Sequence, residues 1–208
     1  MPEPLSADAL VERARELART GARRILGITG APGSGKSTVS AAILDALGPD
    51  AVLVPMDGYH LSNEVLIALG RRDRKGAPDT FDADGYVALL ARLRDQRDDV
   101  VYAPRFHREI EESIAAEIAV RREIPLVITE GNYLLLPEGP WAGVRPLLDE
   151  AWFVAPDESV RQERLIARHI AYGKEPQAAR DWALGTDERN AQLVNATAEH
   201  ADRIIALP

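Results

Sequence analysis

The stretch Gly30-Ala31-Pro32-Gly33-Ser34-Gly35-Lys36-Ser37, followed by Thr38, constrains this chain more than any other feature. It fits the pattern G-x-x-x-x-G-K-S/T. It follows the apolar run Ile25-Leu26-Gly27-Ile28 and opens a helical stretch, Thr38 to Leu47, that Gly48-Pro49 ends. Glycines allow successive amides to turn inward around a phosphate without a Cβ in the way. The helix that begins there presents unpaired N–H groups and its positive end. Lys36 adds a cation suited to the β and γ phosphates, and the Ser37 hydroxyl suits Mg²⁺. A plain Gly/Ser/Pro turn needs neither the preceding strand nor the following helix. Residues Gly30 to Thr38 are therefore expected to hold a nucleotide.

The chain has 208 residues, 46% hydrophobic and 28% charged, a composition ordinary for a globular protein. No internal repeat or low-complexity linker divides it. One domain over residues 1–208 is expected, with a helical lid at about 159–198. The apolar runs are too short to cross a bilayer. A balance of 25 basic and 33 acidic residues, net −8, argues against a general nucleic-acid partner, which requires positive charge to displace counterions. Cysteine is absent, which removes disulfides, thiol nucleophiles and thiolate metal sites. The start, Met-Pro-Glu-Pro-Leu-Ser, lacks a basic and then apolar leader. The expectation is a cytoplasmic protein without membrane contact.

Along the chain, a helix is expected from Ser6 to Thr20 and strands at Ile25–Ile28 and Ala51–Val54. A short helix follows over Leu61–Leu69, then a polar loop, then a helix over Asp84–Arg94. Val100-Val101-Tyr102 reads as a short strand. Arg108 to Arg122 fits either a helix or the strands of a small excursion. Strands are expected at Leu126–Thr129, Ala151–Val154 and Arg203–Ala206, with helices over Ser159–Tyr172 and within Lys174–Ala198. Strands alternating with helices imply an α/β fold, a doubly wound parallel sheet with helices on both faces.

Two acids follow predicted strands. Val52-Leu53-Val54-Pro55-Met56-Asp57 and Leu126-Val127-Ile128-Thr129-Glu130 each deliver a carboxylate where such sheets bind ligands. Asp57 can orient an attacking hydroxyl, since phosphoryl transfer depends mostly on positioning and charge stabilisation. Glu130 can hold Mg²⁺, directly or through water. Each could instead be an ordinary turn acid. Asp82-Ala83-Asp84-Gly85 matches the D-x-x-G of GTPases, but it follows no apolar strand, and no N-K-x-D segment occurs. It is expected to start a helix.

The phosphate loop, Met56-Asp57-Gly58-Tyr59-His60-Leu61, Arg74-Lys75-Gly76-Ala77-Pro78-Asp79-Thr80-Phe81-Asp82 and Thr129-Glu130-Gly131-Asn132-Tyr133 occur in that order. Together they resemble the phosphoribulokinase, uridine kinase and bacterial pantothenate kinase family of P-loop kinases, from about Ile25 to Ile205. The middle two segments most resemble the pantothenate kinase branch, although the chain is shorter. The resemblance implies ATP and Mg²⁺, a small-molecule acceptor, and compatibility with a homodimer. It implies Asp57 as the base, Lys36 on the transferred phosphate, Ser37 and Glu130 at Mg²⁺, and Arg74 and Lys75 in the acceptor loop. The family also carries a C-terminal lid with arginines. Arg161, Arg164 and Arg168 share one helical face. Arg164 and Arg168 could clamp phosphates, with Arg168 acting in catalysis, or form a solvated face with Glu158 and Glu163. Tyr102-Ala103-Pro104-Arg105-Phe106-His107 occupies the place of the uridine kinase acceptor segment, with different aromatics.

Tyr59, His60, Arg74, Lys75, Phe81, Arg105, His107 and Tyr133 are the candidates for touching the acceptor, together with Asp57. The expected activity is transfer of the γ-phosphate of Mg·ATP to a hydroxyl of a small metabolite of nucleoside, pantothenate or sugar class. The alternative is a nucleotide-binding regulator that hydrolyses slowly and has no acceptor; it would have no use for an acid such as Asp57.

Overall fold

The computed structural model describes residues 6–206. Strand β1 (Arg24–Thr29) is the centre of a five-stranded parallel sheet ordered β2-β5-β1-β6-β7. Its neighbours are β5 (Leu126–Gly131) and β6 (Glu150–Val154), with β2 (Ala51–Leu53) and β7 (Arg203–Ile205) at the edges. The three central strands are apolar on both faces because both faces are covered. Leu26, Ile28, Ile128 and Trp152 meet α1 (Ala7–Ala18) and α2 (Lys36–Leu47) through Leu10, Ala14, Val39 and Ile43. Ile25, Val127 and Phe153 face the other way, toward α4 (Ala83–Arg94) and the segment Leu134–Leu136.

Strand register brings the functional loops together. Thr29, the last residue of β1, pairs with Gly131, the last of β5, so the segments after both strands emerge side by side. Beyond β2, the Val54 amide donates to the Ile128 carbonyl (2.8 Å), and Thr129 Oγ1 donates back to the Val54 carbonyl (2.7 Å). These bonds hold the start of the turn that carries Asp57. Asp82 caps α4, accepting from the Gly85 amide at 2.9 Å. The D-x-x-G match is thus a helix start, as expected.

One expectation is corrected. Val100–Tyr102 does not join the parallel sheet. It begins β3 (Val100–His107), which pairs antiparallel with β4 (Glu112–Arg121) in a separate hairpin. The ambiguous stretch from Arg108 is the tip and return strand of that hairpin. Of the two readings left open, the strands of a small excursion hold; the pattern did not decide because only Val101, Ala103, Ile118 and Val120 are buried, all near the base. Farther out, Arg105 pairs with Ile114, and Ala116 takes a positive φ of 58° where the register shifts. Such a bulge re-aims the residues beyond it.

The remaining helices are α3 (Asn63–Ala68), α5 (Glu158–Ala171), α6 (Pro176–Leu184) and α7 (Thr186–Asn195). The expected helical stretch near the C-terminus is therefore three helices, broken at Gly173 and Gly185.

The hairpin rests directly on the Asp57 turn. A Cβ on Gly58 would lie 2.5 Å from the Pro104 carbonyl oxygen, a backbone atom that cannot swing aside. Gly58→Ala is expected to cost about 1–3 kcal/mol in a chemical denaturation series. A neutral effect would mean that the hairpin is not seated on this turn.

Candidate active site

The loop after β1 has the backbone that the sequence requires. Gly30, Gly33 and Gly35 take φ values of 147°, 84° and 94°, which side chains oppose. A Cβ on Gly30 would sit 2.5 Å from the Val154 carbonyl, and one on Gly33 2.7 Å from the Arg161 carbonyl. Among the described residues, the amides of Gly33, Gly35, Lys36 and Ser37 donate to no acceptor. The buried Ser34 hydroxyl also lacks a hydrogen-bond partner. Such a ring of unused donors fits an anion. Lys36 Nζ folds over the loop and donates to the carbonyls of Gly30 (2.8 Å) and Ala31 (3.0 Å). Burial pushes its pKa down to about 8, although Glu130 and Asp57 pull the other way.

Glu130, at the end of β5, accepts from Ser40 Oγ at 2.6 Å. Burial raises its pKa, against that hydrogen bond and the Lys36 charge. Ser37 and Glu130 line one cavity and offer hard oxygen ligands of the kind Mg²⁺ takes.

Asp57 makes an ion pair with Arg108 from the hairpin tip, at 3.0 Å. Burial works against its charge, but His60, Arg108, Lys36 and Arg168 outweigh it and hold its carboxyl below the ordinary value. His60 is pushed toward the neutral form by burial. Its Nδ1 lies 2.8 Å from the Asp57 carbonyl oxygen, which can only accept, so the proton sits on Nδ1.

Two cavities meet at this pair. The first, about 470 Å³, is lined by Pro32 to Ser37, Glu130, Arg105, Arg164 and others. The second, about 490 Å³, is lined by His60, Arg72, Lys75, Phe81, Trp182, Asn190 and others. Pro32, Asp57, Phe106, Arg108, Asn132, Arg168 and Tyr172 line both. Each volume suits a small ligand.

The expected nucleotide residues divide. Pro32 through Ser37, Arg164 and Arg168 face the first cavity, whereas Gly30 and Ala31 lie behind it and Thr38 is exposed outside its wall. Arg161 does not belong with the other two arginines. Its side chain is 2% exposed, donates to the Pro32 carbonyl (2.9 Å), and pairs with Glu158 and Glu188. It fastens α5 to the loop.

Of the expected acceptor residues, His60, Lys75 and Phe81 line the second cavity with Asp57. Arg105 instead faces the first, paired with Glu117 at 3.0 Å. Four residues line neither cavity. Tyr133 is buried in the core, its hydroxyl donating to the Gly76 carbonyl. Tyr59 packs against Tyr86, ring centroids 5.4 Å apart. Arg74 pairs with Asp79 at 2.8 Å. His107 sits between Glu117 (2.6 Å) and Glu109 (3.0 Å), whose hydrogen bonds raise its pKa. Sequence reasoning missed Arg108, Arg72, Phe106, Asn132 and Tyr172. Phe106 and Asn132 lay inside quoted motifs. No local pattern marks the others: the hairpin brings in Arg108, the turn before Lys75 brings in Arg72, and the turn after α5 brings in Tyr172.

No family model matches the chain. A Schizosaccharomyces pombe protein provisionally named uridine kinase is 34% identical over 205 residues, covering 94% of this chain and 86% of its own. An Aspergillus versicolor ATP-dependent kinase-like protein is 37% identical over 145 residues, covering 65% and 84%. A crystal structure from Silicibacter, provisionally assigned as a fructose transport system kinase, superposes with a TM-score of 0.83 at 34% identity. It spans 98% of this chain and 100% of its own. Bacterial uridine and pantothenate kinases match over shorter stretches.

Removing the Arg108 charge from beside Asp57 is expected to raise the Asp57 pKa. In Arg108→Met, the carboxyl ¹³C resonance of Asp57 should titrate at higher pH than in the parent. An unmoved midpoint would make the ion pair electrostatically idle.

Proposed function

Because the chain belongs to the phosphoribulokinase, uridine kinase and bacterial pantothenate kinase family of P-loop kinases, and is thus a phosphotransferase with an alcohol acceptor, we propose that it transfers the γ-phosphate of Mg·ATP to a hydroxyl of a small metabolite. The observation that carries this reading is the position of Asp57. It lines both the phosphate-loop cavity and the second cavity beside it. A donor in one and an acceptor in the other would meet at its carboxylate.

In this reading, the unused amides of Gly33, Gly35, Lys36 and Ser37 receive the donor's phosphates. Lys36 leaves its loop carbonyls for the β and γ phosphates. Mg²⁺, when bound, neutralises charge on those phosphates, and Ser37 and Glu130 are the residues to hold it. Asp57 accepts a hydrogen bond from the acceptor hydroxyl and takes its proton as the new O–P bond forms and the β,γ-bridging O–P bond breaks. The loose transition state makes little demand on base strength, so a carboxylate held below its ordinary pKa serves. Arg164 and Arg168, on α5, supply charge to the transferred group. Helices α5 to α7 act as the lid, hinged about the buried Arg161, which anchors the first turn of α5 to the loop.

Relatives carry the names uridine kinase and pantothenate kinase, and the Silicibacter structure is provisionally assigned to a fructose transport system. A second cavity of about 490 Å³ accommodates a single metabolite of nucleoside, pantothenate or sugar class.

The test is ADP formation from Mg·ATP across an acceptor panel, with Asp57→Asn as control. That variant is expected to lose about 10²–10⁴-fold in kcat while still binding nucleotide. Full activity in Asp57→Asn overturns the base. Lys36→Ala is expected to weaken nucleotide binding and turnover together.

A pH signature follows from Lys36. Its folded pKa of about 8 lies below the ordinary 10.5, so the empty protein is partly deprotonated there at mildly alkaline pH. Anionic phosphates raise that pKa again, and binding then takes up a proton. Nucleotide titration calorimetry at about pH 8.5 should therefore give enthalpies that depend on the buffer's ionisation heat. Buffer-independent heats, or net proton release, would contradict the assignment.

A further inference from the structure

The second cavity carries a charge imbalance. Four acids line it: Asp57, Glu109, Glu111 and Asp187. Each already faces a cationic or protonatable side chain. Asp57 pairs with Arg108 (3.0 Å), Glu109 with His107 (3.0 Å), Asp187 with His169 (2.6 Å), and Glu111 approaches Lys75 (4.0 Å). Two cations that line this cavity and not the first, Arg72 and Lys174, make no ion pair among the described residues. They come from separate elements, Arg72 from the turn before Lys75 and Lys174 from the segment between α5 and α6. Lys174 is backed by the Trp182 ring, 4.7 Å from its Nζ to the centroid.

Lys75 adds a third cation. Its side chain is 5% exposed. Nζ donates to Asn63 Oδ1 (2.9 Å) and the Glu111 carbonyl and lies over the Phe106 ring, 5.2 Å from its centroid. A buried ammonium is costly unless it is satisfied, and the imbalance favours a ligand of opposite charge.

We propose that the acceptor is an anion, a hydroxylated metabolite bearing a carboxylate or a phosphate, and that Arg72, Lys174 and Lys75 receive its charged group while its hydroxyl reaches Asp57. This deepens the kinase reading of the same cleft and rests on it. A neutral sugar or nucleoside would leave Arg72 and Lys174 without a counter-charge. A carboxylate or phosphate oxygen supplies one, with charge-assisted hydrogen bonds.

The test uses compounds matched in all but charge: pantothenol against pantothenate, glycerol against glycerate and glycerol 3-phosphate, and fructose against fructose 6-phosphate. Binding is measured by calorimetry to the full-length protein saturated with Mg·AMP-PNP, which fills the phosphate loop. Phosphorylated product with Mg·ATP is measured by mass spectrometry. At least one charged member is expected to bind and react with kcat/KM tenfold or more above its neutral counterpart. The carboxylate and phosphate arms identify which oxyanion is taken. Arg72→Gln and Lys174→Gln are expected to raise KM for that acceptor about 10-fold or more, with a smaller change in kcat and an unchanged KM for ATP.

The proposal is overturned if neutral members do as well as charged ones, if no charged member binds, or if the two variants leave KM unmoved. Binding of a charged member that depends on Arg72, without any phosphorylation, would sustain the anion site and overturn the kinase reading. Phosphorylation confined to neutral acceptors would do the reverse.

Discussion

The phosphate loop is held between two surfaces that leave no room for side chains, and the rest of the cleft is arranged around it. On one side, Gly30 lies against the Val154 carbonyl at the end of β6. On the other, Gly33 lies under the Arg161 carbonyl, while the Arg161 guanidinium reaches back to the Pro32 carbonyl. The loop's open curve is thus set by packing as well as by glycine's own freedom. The same contacts fix where α5 begins, and Arg164 and Arg168 follow from that start at helical spacing. An arginine that pairs with two acids and a loop carbonyl is firmly determined, so the cations beyond it on α5 are aimed from a rigid base.

The sheet and the hairpin divide the work. The sheet delivers Glu130 from the last residues of β5, and Lys36 and Asp57 from the segments after β1 and β2, by a register that brings Thr29 and Gly131 level. The hairpin delivers Phe106 and Arg108 from outside the sheet, carried over the Asp57 turn by the contact between Pro104 and Gly58. Asp57 therefore belongs to both frames: its backbone is set by the sheet and its carboxylate is engaged by the hairpin. The charges around it are strongly coupled. Lys36 is kept from full protonation at alkaline pH by burial, and Asp57 is kept ionised by four neighbouring cationic or protonatable groups. A ligand bringing negative charge relieves the first and competes for the second.

Much of this was legible in the sequence, for a simple reason. Features written in consecutive residues survive translation into structure: the glycine pattern, the apolar strands, and the acids that follow them. The Asp82 cap was legible on the same ground, since a helix start is a local event. What failed was orientation. Tyr59, Arg74 and Tyr133 lie in the expected segments, but their side chains turn to Tyr86, Asp79 and the buried core. Neighbouring residues in a loop point in different directions, so a motif names the segment without naming the side chain. Arg72 rather than Arg74 lines the cavity for that reason. The hairpin was only partly legible, its first strand recognised and its return left open between helix and strand, because its burial is confined to its base and its alternation is broken by a bulge near Ala116.

The same contrast explains why one fold serves many acceptors. The donor side is built from sheet-anchored, motif-bearing residues that tolerate little change, since a single Cβ at Gly30 or Gly33 meets backbone. The acceptor side draws on the hairpin tip, a 3₁₀ turn and the segment after α5, all of them outside the parallel sheet. Substitution there alters charge and shape without disturbing the phosphate loop. In a chain with a net charge of −8, unpaired cations gathered on that variable wall are a local departure from the overall balance. They act at short range, within a partly enclosed cleft where screening is weaker than at the open surface. In the proposed reading, selectivity for an acceptor is then set by which of these few cations finds an oxyanion, while the chemistry proposed at Asp57 stays the same.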